Sequence, residues 1–367
     1  MEGVLSTRAL NRALVARQLL AGRAELTVME AAAHLIGLQA QAVNPPYVGL
    51  WTRLARFTVD DLGGLLLDRK LVRMALMRST IHLVTAHDSL ALRPLLAQML
   101  ARTVKSQFGR QLPGVDVAEL ARIGAELAGQ RPLSFAAMGE LLAGHWPGRD
   151  ANALAQTVRN LVPLVQIPPR GLWGNNSQAV HVTVGGWLGQ EPDDAPDPAE
   201  YVLRYLGAFG PASVLDMQKW SGMTRLREVF ARVGQQLRTY RDERGTQLFD
   251  LAEAALPGPE AEVPVRFLPE FDNILLSHAD RSRILPEQYR SRVFTSNGII
   301  RSTILVDGFV AGTWTVRRAD DTATLVVTPF TKLNSRDAKA LAEEGVGLLR
   351  FTAPDAGRHE MRFEPPG

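Results

Sequence analysis

Val202-Leu203-Arg204-Tyr205-Leu206-Gly207-Ala208-Phe209-Gly210-Pro211 opens the stretch that decides the fold. Val202, Leu203, Leu206 and Phe209 recur at helical spacing, and Gly210-Pro211 breaks the helix. Val214, Leu215 and Trp220 mark a second helix, with Ser221-Gly222 as its turn. Thr224 is placed to cap a third, built on Leu226, Val229, Phe230 and Val233 and bearing Arg225, Arg227 and Arg232. Leu237–Tyr240 and Gln247–Leu251 then pair around Asp242-Glu243-Arg244-Gly245. Helix, helix, turn, helix and ribbon in that order are the plan of a winged helix.

The same plan is expected twice upstream. Ser6-Thr7 precedes a helix with Leu10, Ala13 and Leu14 on one face, and Thr27 with Glu30 is a capping box for the next, which Gly37 ends. Thr58 starts a short helix, after which Leu71–Met77 and Thr80–Val84 flank Arg78-Ser79 as two strands. A second unit begins at Leu120, Ile123 and Leu127. Ser134 caps its next helix, Asp150 opens a third, and Ile167–Trp173 is the expected wing. Residues 1–108 and 109–189 are therefore read as winged helices one and two, 190–198 as an acidic, proline-rich linker, and 199–255 as winged helix three.

Beyond residue 262 the hydrophobic period changes to two. Strands are expected at Val263–Leu268, Arg292–Thr295, Gly298–Val306, Val310–Arg317 and Ala323–Thr328, then a helix at Ser335–Glu344 and a strand at Gly347–Thr352. The fold class is α+β, with residues 262–367 forming a C-terminal antiparallel β-barrel.

Composition narrows the function classes. The 367 residues include no cysteine, which excludes a thiolate metal site, an iron–sulfur cluster and a cysteine nucleophile. The N-terminus lacks a signal peptide's basic and apolar regions, and no apolar run is long enough to span a bilayer, so a cytoplasmic protein is expected. Net charge is only +3, but its placement is uneven: +7 over residues 1–110, −5 over 111–200 and +5 over 281–318. Two separated positive regions suit a polyanion, and 36 of the 41 basic residues are arginine, whose planar fork matches phosphate.

Catalytic signatures are few. There is no phosphate-binding loop, nucleophile elbow, H-E-x-x-H or dinucleotide fingerprint. His82 and His87 are five apart, the wrong spacing for one helical face. The unusual feature is Gly37-Leu38-Gln39-Ala40-Gln41, just before Asn44-Pro45-Pro46-Tyr47. Amides at i and i+2 of an extended backbone share a face, and each offers an acceptor and a donor, so Gln39 and Gln41 together suit a held water.

Leu10–Gln18, Gly37–Gln41, Tyr47–Trp51, Leu76–Val84 and Phe271–Arg281 resemble the AlkZ-like family of winged-helix DNA glycosylases, a similarity that runs over essentially the whole chain. The family includes a self-resistance glycosylase against azinomycin, and Gln39-Ala40-Gln41 matches its Gln-apolar-Gln form rather than the Gln-apolar-Asp of a related branch. The resemblance implies three tandem winged helices around a concave DNA-binding face, a hairpin in the C-terminal domain that probes the duplex, and no cofactor or metal. It makes Gln39 and Gln41 the catalytic pair, with His82, Asp272, Asn273 and His278 as the surround. Arg281, Arg283, Arg290, Arg292 and Arg301 are the expected phosphate contacts. The implied partner is double-stranded DNA carrying alkylated purines, met by a monomer near the nucleoid. N7-alkylguanine is already a cationic leaving group, so a neutral amide pair that orients water suffices. The alternative from another class is a non-enzymatic winged-helix regulator, which needs an operator sequence but no amide pair.

Overall fold

Side-chain oxygens set where many of the helices begin. Ser6, Thr27, Thr58, Ser134 and Asp150 each accept a hydrogen bond from the backbone N–H three residues on, an interaction that stabilises by ~1 kcal/mol. The computed structural model describes residues 3–366.

The first unit contains β1 (Val4–Leu5), α1 (Thr7–Arg17), α2 (Val28–His34), β2 (Leu38–Gln39), α3 (Pro45–Trp51), α4 (Val59–Leu67), β3 (Leu71–Ala75), β4 (Ile81–Thr85), α5 (Ala86–Leu95) and α6 (Ala97–Gln107). The second follows as α7 (Val117–Gln130), β5 (Leu133–Ser134), α8 (Phe135–His145), α9 (Ala151–Leu161), β6 (Leu164–Gln166), β7 (Val180–Thr183) and α10 (Val184–Leu188). Their strands other than β1 join into one six-stranded sheet, ordered β2-β4-β3-β6-β7-β5. The seam is β3 with β6, where Arg73 pairs with Gln166 and Met74 with Val165. Ile167–Trp173 is the connection leaving β6, not a strand of its own.

The decisive stretch folds in the order read from it: α11 (Pro198–Phe209), α12 (Val214–Ser221), α13 (Leu226–Arg232), then the ribbon of β8 (Leu237–Asp242) and β9 (Gln247–Leu251). β1 adds to this ribbon in parallel beside β8. Thr224 does not cap α13. Arg225 occupies the N-cap at φ 60 with no side-chain cap, and Gln218 Oε1 accepts from Leu226 N at 3.4 Å.

The expected barrel is not closed. β10 (Arg266–Leu268), α14 (Arg290–Val293), β11 (Thr303–Val306), β12 (Phe309–Ala319), β13 (Thr322–Pro329), α15 (Ser335–Thr352) and β14 (Arg358–Phe363) complete the described chain. The sheet runs β10-β11-β12-β13-β14. Because α15 carries the chain across a face, β14 joins β13 in parallel at the outer edge and does not return to β10. The strand expected at Gly347–Thr352 is the last part of α15, where Leu341, Gly345, Leu348 and Leu349 are buried along one helical face. Arg292–Thr295 is likewise not a strand: α14 ends at Val293.

One apolar core unites the first and third units with the segment that follows them: Leu14, Ile36 and Met74 pack in it with Tyr205, Phe209, Trp220, Leu275 and Phe330. The second unit keeps its own core around Leu120, Met138, Leu154 and Val158. Phe267, Trp314, Leu325, Leu341 and Leu348 form that of the C-terminal sheet. Among the described residues no helix is long and apolar enough to cross a membrane.

Candidate active site

Gly37 explains how the glutamine segment leaves α2. Its φ is +87, and a Cβ there would lie 2.4 Å from Val84 Cγ1 and 2.6 Å from the Leu83 carbonyl oxygen. Glycine alone tolerates both the conformation and the approach. The chain then runs beside β4, with Leu38 opposite Leu83 and Gln39 opposite His82. Leu38 and Ala40 are buried in the core of the first unit. Gln39 and Gln41 alternate with them; Gln39 is buried and Gln41 exposed.

The segment is held from several sides. Ala40 N donates to Ile81 O at 2.7 Å, and Arg73 Nη2 donates to Ala40 O at 2.8 Å. Asn273 bridges its start: its Nδ2 donates to Gly37 O at 2.6 Å and its Oδ1 accepts from Gln39 N at 3.4 Å.

Both amides have a determined orientation. Arg78 Nη2 donates to Gln39 Oε1 at 2.9 Å, and Ile81 N donates to Gln41 Oε1 at 3.1 Å. Each partner is a donor with no acceptor capacity, so each must face amide oxygen. The two NH₂ groups point away from these anchors, and each oxygen keeps a second lone pair.

Arg78 was not among the residues singled out for the site, and it is the centre of it. It sits with Ser79 in the turn between β3 and β4, at φ 55 and 57. Such two-residue turns favour Asn-Gly, since left-handed backbone costs other residues ~1 kcal/mol or more each. Arg-Ser in that turn was the available signal. Besides Gln39, Arg78 donates from Nη1 to the Trp220 carbonyl oxygen at the end of α12. Burial, with the charge of Arg281, lowers its pKa to about 10, well short of deprotonation at neutral pH.

His82 shares this corner but is not a base. Its Nδ1 lies 3.0 Å from the Thr80 carbonyl oxygen, which assigns the proton there, and Nε2 is left facing Arg78 Nη2 at 3.5 Å. Burial, then the Arg78 charge, pushes its pKa down to about 3. The ring is neutral and its lone pair is turned to a cation.

The remaining expected residues divide. Asn273 joins the glutamines, as described. Asp272, one residue before it, turns its carboxylate to Arg53, and both are buried. His278 lies against the third unit, with Nε2 3.0 Å from Phe209 O and Nδ1 2.9 Å from Ser277 Oγ. Arg283 is 5% exposed and donates to Pro211 O at 2.6 Å, so it faces the interior. Arg281 is half-buried over the Phe294 ring at 5.0 Å, and Arg292 lies over Phe330 at 4.1 Å. Arg290 and Arg301 are exposed. Among the described residues no group of three His, Cys, Asp or Glu is placed to hold a metal ion.

A family model described as DNA glycosylase AlkZ-like matches residues 32–351, which includes the glutamine segment, the Arg78 turn and Asn273. The chain belongs to the AlkZ-like family of DNA glycosylases. It is thus an enzyme that hydrolyses N-glycosidic bonds in DNA. A relative of this AlkZ-like chain, the interstrand DNA cross-link repair glycosylase of Streptomyces sahachiroi, is 25% identical over 352 residues, covering 91% of this chain and 93% of the relative. The solved structure of Streptomyces sahachiroi DNA glycosylase AlkZ shares the fold at a TM-score of 0.82, with 23% identity over 98% of this chain and 100% of that one.

Proposed function

We propose that this enzyme releases N7-alkylated guanine, including bulky adducts and guanines joined in interstrand crosslinks, by orienting water with Gln39 and Gln41. The observation that carries this reading is the pinning of both amides by donor-only partners, which leaves two neutral, directed groups. Neutral amides are weak bases, so they match a substrate whose leaving group is already cationic and leave ordinary nucleotides intact. A relative named for cross-link repair supports extending the substrates to crosslinks.

The first three units act as tandem winged helices around the DNA. Arg281, Arg290, Arg292 and Arg301 supply backbone contacts around a short ribbon closed by the Phe294–Ile300 bridge, whose tip exposes Ile299. Of the C-terminal turns, this one is free to probe a duplex. The turn at Asp307-Gly308 is docked on α1 through Arg8, Arg12 and Asn11, and the turn at Asp320-Asp321 is acidic. A bulky adduct in a groove hinders extrusion, so the lesion is met in or near the duplex from the minor-groove side, without the full flipping other base-processing enzymes use.

The test is release of base from a duplex with a single N7-methylguanine, read as strand cleavage after alkali. Wild-type protein should produce abasic sites; Gln39→Ala and Gln41→Ala should bind the duplex yet lose about a hundredfold or more in rate. Wild-type rates in both variants would remove the glutamines from the mechanism.

A further inference from the structure

Half-buried or buried arginines in this chain are commonly neutralised by a carboxylate: Arg12 by Asp307, Arg17 by Asp250, Arg53 by Asp272 and Arg204 by Asp88. Arg78, like the buried Arg73 and Arg93, has no such carboxylate among the described residues, and its turn is held by other means. Arg159 of α9 donates from Nη2 to Ser79 O at 2.8 Å and approaches Ser79 Oγ at 3.4 Å from Nη1. Ser79 Oγ in turn donates to Asn160 Oδ1 at 2.6 Å, and Arg78 reaches Trp220 O. The turn is thus gripped by the second unit and the third at once. Arg281, anchored through Nε to Leu275 O at 2.7 Å, is close enough for its charge to act on Arg78.

Arg78, Arg159 and Arg281 form no ion pair with a carboxylate among the described residues, although the charge of Glu287 reaches Arg281. Arg78 and Arg159 meet at one turn in half-buried positions and lose hydration there, and the charge of Arg281 acts on Arg78, an arrangement that an anion from outside the chain relieves. Non-glycine residues at left-handed φ in the same turn are the kind of strain that persists at functional sites.

We propose that Arg78 and Arg159, which meet at the Arg78-Ser79 turn, together hold one phosphodiester beside the lesion nucleotide, so that the guanidinium orienting Gln39 also registers the DNA strand. The proposal rests on Gln39 and Gln41 being the reacting site, and it makes Arg78 and Arg159 positioning residues. An unpaired Arg78 cation would oppose the positive charge that develops on the sugar as the base leaves. A seated phosphate cancels that field, so the site becomes complementary to the transition state only when DNA is in register. Free protein is thereby kept in a less active electrostatic state, and strand binding is coupled to chemistry.

The experiment replaces phosphates near a single N7-methylguanine, one at a time, with uncharged methylphosphonates. Affinity and single-turnover base release are measured separately. For wild-type protein one position should weaken binding by about tenfold, and its penalty should fall below about twofold in Arg78→Gln and in Arg159→Gln, because the partner is already gone. Each variant should also lower the slope of log affinity against log salt by about one. A wild-type scan in which no position exceeds about twofold overturns the proposal without reference to any variant. So do penalties that are the same in variant and wild type. Should binding show the coupling while no base is released, the phosphate site stands and the N7-alkylguanine reading falls.

Discussion

Arg53 and Asp272 form a two-pronged ion pair, with Nη1 2.8 Å from Oδ2 and Nη2 2.7 Å from Oδ1, and their side chains are 0% and 2% exposed. The same guanidinium donates from Nε to Gln18 O and from Nη1 to Gly49 O, and Asp272 Oδ1 also accepts from Ile274 N. The pair fixes the segment that carries Asn273, the residue bonded to the backbone on either side of Leu38. The ion pair thus positions Gln39 without touching it.

Asp272→Asn leaves a buried arginine without its counter-charge, and removing one partner of such a pair costs ~3–5 kcal/mol. Urea denaturation should show that loss. The double variant Arg53→Met/Asp272→Leu should recover part of it, because two apolar groups need no partner. An Asp272→Asn loss below ~1 kcal/mol would mean that the pair is hydrated and not structural.

Gln39 and Gln41 should separate in stability although the proposed reaction needs both. Gln39 accepts from a charged donor inside the fold, and such bonds contribute ~1.5–3 kcal/mol. Gln41 is exposed, and the Ile81 N–H it satisfies can turn to water. Gln39→Ala should therefore lower the unfolding free energy measurably while Gln41→Ala leaves it within ~0.5 kcal/mol. Equal losses would count against the assigned amide orientations.

What could be read along the chain and what could not follow from the range of the forces. The caps at Ser6, Thr27, Thr58, Ser134 and Asp150 are local, needing only a side-chain oxygen and an N–H three residues on, and all five are observed. The alternation of Leu38, Gln39, Ala40 and Gln41 was legible for the same reason. The open C-terminal sheet was not, because β14 is a polar edge strand whose place depends on where the long α15 delivers it. Arg78 belongs to the same class. Its partners Gln39 and Trp220 are 39 and 142 residues away, and no spacing rule connects a hairpin turn to both.

The buried histidines set an acid limb. Burial pushes His82 to about 3 and His181 to about 4, and burial with the Arg283 charge moves His278 down as well, against an ordinary value of 6.5. Protons then bind the unfolded chain first. Stabilisation is complete above about pH 6.5 and is lost as pH falls toward the folded values, at ~1.4 kcal/mol per pH unit for each group. Unfolding at pH 5.5 should take up about three protons, measurable by calorimetry in buffers of different ionisation enthalpy; fewer than one would mean that the rings are solvated. Base release should meanwhile stay flat from about pH 6 to 8, because the glutamines do not titrate and His82 is neutral throughout. An inflection near 6.5 would place a histidine base in the reaction.

Arg283 and Arg301 should respond to the same substitution in opposite ways. Arg283 Nη1 donates to Pro211 O in the interior, and its charge lies near His278 and Asp216. Arg301 is exposed next to the Phe294–Ile300 bridge, and only its backbone N–H has a described partner, Val293 O. Cations that reach phosphate set the salt dependence of DNA binding, since each neutralised phosphate releases counterions, whereas one committed to interior partners acts through the fold. Arg301→Gln should reduce the slope of log affinity against log salt by about one and leave the unfolding free energy unchanged. Arg283→Gln should keep the slope and lower stability by ~1–3 kcal/mol, through the orphaned Pro211 carbonyl oxygen and the altered field at Asp216. Were Arg283→Gln to flatten the salt response in a protein of wild-type stability, Arg283 would have to leave the interior to meet DNA, and the segment from Asp280 to Ile284 would be a moving part of the binding face.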